Sequence, residues 1–208
     1  MRTPDPKQRW LTFVRNHAKV MVACDFFVVI TAAFRTLDVF VVMEIGSRRI
    51  LHHHVTAHPT AEWTLQQFRE ALPGGHPYRF LIHDRDSIFA KDVDQGLANL
   101  GVRVLRTPVR SPKANAVCER LGGSLRRECL DFLIPFHERH LQMTIRDWGI
   151  HYNRGRPHSA LGPCLPEPMS EQLPSNEHRH SLPAGCRAVK RSVLGGLHHE
   201  YGLVKEAA

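Results

Sequence analysis

The spacing of hydrophobic and polar positions divides most of the chain into elements. Val20 to Ile30 is an almost unbroken apolar run, the pattern of a strand buried on both faces. Residues 32–36 read as a turn. Leu37 to Glu44 is β-branched and aromatic, and Arg48 to Thr56 alternates enough to form a third strand. Short connections make these three an antiparallel meander. Pro59 and Thr60 open a helix over Ala61 to Leu72, and Pro73-Gly74-Gly75 ends it. Tyr78 to Asp84 predicts a fourth strand, Lys91 to Leu100 a short helix closed by Gly101, and Val102 to Arg106 a fifth strand. A helix follows Ser111-Pro112, with Val117, Leu121, Leu125 and Cys129 as its core stripe. Asn115, Glu119, Gly123 and Arg126 lie along a neighbouring face of that helix. His137 to Tyr152 is a further amphipathic helix.

Three strands followed by helix, strand, helix, strand, helix is an α/β pattern. Its crossovers make the fourth and fifth strands parallel to the first. The expected organisation is a basic arm over 1–19, a core over 20–165 and an irregular tail over 166–208, where Pro, Gly and His accumulate. His52-His53-His54 alternates along a strand, so the three rings cannot converge on one ion and are expected at the strand surface.

Charge adds a partner to this picture. The formal net charge is +8 and the pI about 9.7, which favours a polyanion. Only Lys7, Lys19, Lys91, Lys113, Lys190 and Lys205 are lysines, so most of the charge is guanidinium, suited to bidentate phosphate contacts. Cys24, Cys118, Cys129, Cys164 and Cys186 are odd in number and form no C-x-x-C pair. That argues against a zinc knuckle or disulfide framework and for a reducing compartment. No signal-peptide pattern opens the chain, and the longest apolar run, interrupted by Asp25 and Thr31, is too short to span a bilayer. A cytoplasmic protein without a membrane partner is expected.

Two acids stand where acids are costly. Asp25 interrupts an apolar strand, where an unpaired carboxylate costs several kcal/mol. Asp84 closes another. If the fourth strand lies against the first, these carboxylates face each other across roughly 5 Å. They then repel each other unless a proton or a divalent cation lies between them. A hard cation such as Mg²⁺ takes oxygen ligands and keeps waters, leaving room for phosphate. Glu119, on a helix packed over the strand edge, would complete a two-metal phosphoryl-transfer site. Alternatives stay open for each acid: backbone donors for Asp25, a turn or N-cap role for Asp84, and surface ion pairs for Glu119.

Three segments carry a resemblance: Cys24-Asp25-Phe26-Phe27, Phe80-Leu-Ile-His-Asp84-Arg-Asp86-Ser, and Pro112-Lys-Ala-Asn115-Ala-Val-Cys-Glu119-Arg. They resemble the catalytic core of retroviral-type integrases and the related bacterial insertion-sequence transposases, whose D,D(35)E signature leaves about 35 residues between its second and third acids. Here 34 residues lie between Asp84 and Glu119, and Asp86 would leave 32. Tyr152-Asn-Arg-Gly-Arg156-Pro-His158-Ser-Ala-Leu161 is similar to the closing H-x-x-L region of those transposases.

The resemblance implies an RNase H-like fold, a five-stranded mixed sheet (three antiparallel strands plus two parallel) flanked by helices. It implies two Mg²⁺ or Mn²⁺ ions, with Asp25 bridging both and Asp84 and Glu119 each completing one. It implies DNA as substrate, cleaved and joined without a covalent enzyme intermediate. Lys113 and Asn115 would touch the DNA end. Arg120, Arg126 and Arg127 are candidate phosphate contacts or else solvated helix surface. The family's N-terminal helix-turn-helix has no counterpart here, which implies a separate helix-turn-helix subunit or upstream reading frame. A homodimer or larger assembly on DNA is implied as well. The other readings are a degenerate, non-catalytic DNA-binding remnant of a transposase and an RNase H-like nuclease acting on RNA–DNA hybrids.

Overall fold

The computed structural model describes residues 6–84, 88–89, 91–106, 116–162, 164–167, 182 and 184–205. The chain divides into two compact units, Met1–Ile145 and Arg146–Ala208. In the first unit, strands β1 (Met21–Ile30), β2 (Thr36–Glu44), β3 (Ile50–Thr56), β4 (Phe80–His83) and β5 (Arg103–Arg106) form one sheet in the order β3-β2-β1-β4-β5. β1 pairs antiparallel with β2 and parallel with β4, and β4 pairs parallel with β5. This is the mixed five-stranded sheet expected from the sequence. β1 is central, with neighbours on both edges, and Met21 to Cys24 are fully buried.

Helices cover both faces. Alternation along β1 sends Cys24 and Phe26 to one side and Asp25 and Phe27 to the other. The first side receives α2 (Ala61–Ala71) and α3 (Lys91–Asn99), whose buried Phe68, Val93 and Leu97 pack with Val22, Cys24, Phe40 and Val42. Thr60 caps α2, its hydroxyl accepting from the Trp63 N–H at 3.1 Å. Gly101, at φ +82°, lets the chain leave α3 in the left-handed region. The opposite side carries α4 (Ala116–Glu128) and the first turns of α5 (Glu138–Arg154). Gln142 of α5 accepts the Val55 N–H of β3 at 2.8 Å.

Three expectations are corrected. Residues Pro6–His17 form a helix, α1, where the composition suggested an arm. Pro6 is its first residue, a position where the missing N–H is harmless, and Phe13 and His17 set their edges on Phe80. The histidine triplet is half-buried rather than surface: His52 donates to Gln67 Oε1 at 2.8 Å, and His54 lies edge-on to Trp63 at 5.6 Å. Part of the supposedly irregular tail is regular. β6 (Cys186–Val193) and β7 (His198–Lys205) pair antiparallel from Cys186↔Lys205 to Val193↔His198.

In the second unit Trp148 is buried against Tyr152, and buried His158 donates from Nε2 to the Tyr152 carbonyl at 3.2 Å. Glu200 of β7 meets the last turns of α5. It accepts from His151 Nδ1 at 2.9 Å and from Arg191 Nη2. Burial alone would raise the Glu200 carboxyl, but hydrogen bonds from Arg191 and His151 outweigh it and hold it below the usual carboxylate range. His198 stacks on His151 at 5.0 Å. Gly155 provides the clearance, since a Cβ there would collide with the Glu200 carboxylate.

Candidate functional site

The parallel pairing of β1 and β4 sets the geometry of the two strand acids. Met21 pairs with Phe80, Val22 with Leu81 and Ala23 with Ile82. Continuing that register one for one sets Cys24 opposite His83 and Asp25 opposite Asp84. Both acids are partly buried and lie at the carboxyl end of the shared pairing. Asp25 Oδ1 accepts the Phe26 N–H at 2.9 Å, which fixes that carboxylate against its own strand. Asp84 follows β4 directly, and the residue before it is anchored on the opposite side of the sheet. His83 is buried, stacks on Phe89 at 4.3 Å, and faces oxygen acceptors with both ring nitrogens, the Asp84 carbonyl at 2.5 Å and Asp94 Oδ1 at 3.0 Å. The backbone at Asp84 is therefore pinned from the α3 side.

α4 brings the third acid to the same end of β1. Arg126 donates from Nη2 to the Val28 carbonyl at 2.9 Å, and Gly122 faces the Phe27 ring. Glu119 precedes these by one and two turns on the same helix edge and is exposed in the first turn of α4. Two buried thiols report the local field. Burial pushes the Cys118 thiol well up, and the charges of Asp25, Asp84 and Glu119 push it further, partly offset by Arg48. Cys24 is raised in the same way by burial, with Cys118, Asp25 and Asp84 adding to it. The three predicted acids thus act electrostatically on one buried position.

The core stripe of α4 differs from the expected one: Cys118, Leu121, Ser124, Leu125 and Cys129 are buried, whereas Val117 is only partly so. Sequence analysis also passes over Arg48, which lies in the β2–β3 turn at φ +66°. Nothing in the local pattern ties that turn to acids on other elements. Lys113 and Asn115 lie outside the described residues, as does Asp86. Arg120, Arg126 and Arg127 are all exposed, Arg126 with the strand contact just given.

Gly122 and Gly123 are not required by packing. A Cβ on Gly122 would meet the Phe27 ring at 3.8 Å, an ordinary contact, and one on Gly123 would meet the end of the Arg127 side chain at 3.0 Å, which can swing aside. Gly122→Ala should therefore stabilise the chain by roughly 0.5–1 kcal/mol through helix propensity. Urea unfolding measures this, and a destabilised variant would show that the glycine serves the fold after all.

Three carboxylates offer the oxygen donors that Mg²⁺ or Mn²⁺ prefers, so the donor chemistry suits a hard divalent cation. Among the described residues, no group of three or more His, Cys, Asp or Glu side chains is gathered closely enough to hold a metal ion.

Comparison with known proteins falls on this same region. Residues 100–166, which include Glu119 but neither aspartate, match the integrase core domain family. No curated protein matches the chain in sequence. Among the solved structures that share its fold are the following three. A chain of the simian T-cell lymphotropic virus intasome, solved in complex with the PP2A regulatory subunit B56 gamma, is 10% identical with a TM-score of 0.60. That match covers 88% of this chain and 66% of the viral one, so this chain spans just under two thirds of that relative. The catalytic core domain of BIV integrase is 16% identical with a TM-score of 0.53, covering 71% of this chain and 91% of that one. The catalytic domain of Mos1 mariner transposase is 14% identical with a TM-score of 0.57, covering 71% and 83%. No described helix is long and apolar enough to cross a membrane. The resemblance read from the three acidic segments holds: the chain has the RNase H-like fold of integrase and transposase catalytic domains, and its residues 100–166 match the integrase core domain family.

Proposed function

We propose that this chain is the catalytic core of a DDE-type transposase or integrase, a polynucleotidyl transferase that cuts and joins DNA with a divalent metal. The observation that supports the reading is the parallel register of β1 and β4, Met21↔Phe80 to Ala23↔Ile82, which continued one for one would set Asp25 opposite Asp84, with Glu119 in the first turn of α4. Asp25, Asp84 and Glu119 are the residues that would hold Mg²⁺ or Mn²⁺. When bound, such ions supply Lewis acidity to a scissile phosphate and to the hydroxyl that attacks it.

The chain's own residues have distinct tasks in this reading. The Phe26 N–H keeps one Asp25 oxygen oriented, and His83 with Asp94 fixes the backbone from which Asp84 projects. Cys118 is buried and held as a neutral thiol, so it does not compete as a nucleophile. An incoming hydroxyl oxygen bonds to phosphorus as the P–O3′ bond breaks, and the departing 3′ oxygen takes up a proton. No covalent bond to the protein forms. Lys113, Asn115, Arg120 and Arg127 are the proposed DNA contacts, with Arg126 bracing α4 on β1 beside them. The chain would act on DNA as a dimer or larger assembly.

Plasmid nicking and oligonucleotide strand transfer in Mg²⁺ or Mn²⁺ test this reading. The wild-type chain is expected to be active, and Glu119→Gln at least about a hundredfold slower, the effect of losing several kcal/mol of charge stabilisation. Full activity in Glu119→Gln, or in EDTA, would sink the assignment. Salt-sensitive DNA binding without turnover would identify a non-catalytic remnant instead, and preferential cleavage of RNA–DNA hybrid would identify the nuclease alternative.

A further inference from the structure

We propose that the outward face of the β6–β7 hairpin is a second, metal-independent DNA-binding surface, specific for a strand with accessible bases. Cross-strand pairing assigns the two faces of the hairpin. Residues directly opposite share a face, so Arg191 and Glu200 lie on one side and Lys190 and Tyr201 on the other. The first side is turned to α5 through the contacts of Glu200 and His198 with His151. The second side faces solvent. Tyr201 is 73% exposed, and Lys190 and Lys205 are exposed on the same side.

Charge decides which partner fits. Across residues 184–205 the cations are Arg187, Lys190, Arg191 and Lys205, and Glu200 is the single acid. That acid is on the helix-facing side, engaged by His151 and Arg191, so it adds no negative charge to the solvent face. Among the described residues, what remains outside is a strip without a carboxylate, in which a phenol ring lies beside one ammonium group. A second ammonium lies four residues along the strand, about 13 Å away. Phosphates match the two lysines, and an exposed ring offers a platform on which any unpaired base can stack. Duplex DNA presents no free base face to Tyr201, so the surface favours single-stranded or frayed DNA. A lipid surface is a poorer match, because the apolar side chains of this face, chiefly Leu203, are too few to anchor in acyl chains.

This inference stands apart from the catalytic reading and can fail independently of it. Fluorescence anisotropy with a dye-labelled single-stranded oligonucleotide and its duplex, on the full chain in EDTA across a salt series, reads the hairpin without any metal-dependent step. Lys190→Gln with Lys205→Gln should lower single-strand affinity and reduce the log–log salt slope by about 1.4, the value for two lost phosphate contacts. Tyr201→Leu should weaken single-strand binding roughly tenfold and duplex binding far less. All three side chains are exposed, so unchanged circular dichroism is expected for every variant. An unchanged salt slope in the double variant overturns the proposal, and so does equal weakening of single strand and duplex by Tyr201→Leu. Binding of the hairpin face to anionic vesicles but not to DNA overturns it as well. If binding falls as expected while Glu119→Gln retains full nicking, the hairpin proposal stands and the catalytic assignment falls.

Discussion

Asp25→Asn should abolish metal-dependent DNA cleavage and, at the same time, raise the melting temperature of the metal-free chain by roughly 2–4 °C. The two effects have one cause. Continuing the β1–β4 register one for one sets Asp25 opposite Asp84, and Glu119 adds a third negative charge in the first turn of α4. Without a cation these charges oppose one another, so neutralising one removes repulsion worth about 1 kcal/mol. Asparagine keeps the shape of the side chain, and its Oδ1 can still accept the Phe26 N–H now bound by Asp25. The backbone contact is kept, whereas on the proposed reading a metal ligand is lost from the site. Millimolar Mg²⁺ or Mn²⁺ should raise the melting temperature of the wild-type chain and leave that of Asp25→Asn almost unmoved, since only a state that binds the ion gains from it. Differential scanning fluorimetry with and without metal, run beside the nicking assay, checks both halves. A variant that nicks normally, or that melts well below wild type without metal, contradicts the account.

Phe40→Ala should cost about 3–5 kcal/mol, a large part of the roughly 5–15 kcal/mol that holds a typical domain together. The Phe40 ring is fully buried and lies 4.8 Å from Phe26, 5.2 Å from Phe68 and 6.1 Å from Trp63. It joins the centre of the sheet to α2, so its removal leaves a cavity that rigid neighbours on two elements cannot fill. Phe26 is also the residue whose N–H orients Asp25, so the same cavity loosens the support of the candidate site. Phe40→Leu, which keeps most of the volume, should cost less than half as much. Urea denaturation gives both values, and a loss under 1 kcal/mol for the alanine variant would show that this cluster is not the keystone of the first unit.

The sheet could be read from the sequence because its strands have the patterns that burial demands. β1 is apolar on both faces and was expected to within one residue, and the crossovers through α2 and α3 fixed the direction of β4 and β5. Asp25 was visible because a charge inside such a run has no ordinary reason to be there. Features set by tertiary contact were hidden. α1 carries Phe13 and His17 at helical spacing, yet its packing depends on Phe80, which is distant in sequence. β6 and β7 have little apolar alternation because most of the hairpin is exposed. The turn between them uses Leu194, Gly195 and Gly196 at positive φ, a conformation that only the two glycines signal. Cys118 replaced Val117 in the α4 stripe through a small rotation of the helix, which the polar surroundings of that stripe do not determine.

The parallel pairing of β1 with β4 has a consequence in time as well as in space. Asp25 and Asp84 come together only after an antiparallel meander and a full helical crossover have folded between them, and Glu119 joins later still in the chain. Such pairings give a high contact order, so their formation is slow beside that of the local β1–β2 hairpin. During synthesis the candidate centre cannot exist until residues beyond 119 have left the ribosome.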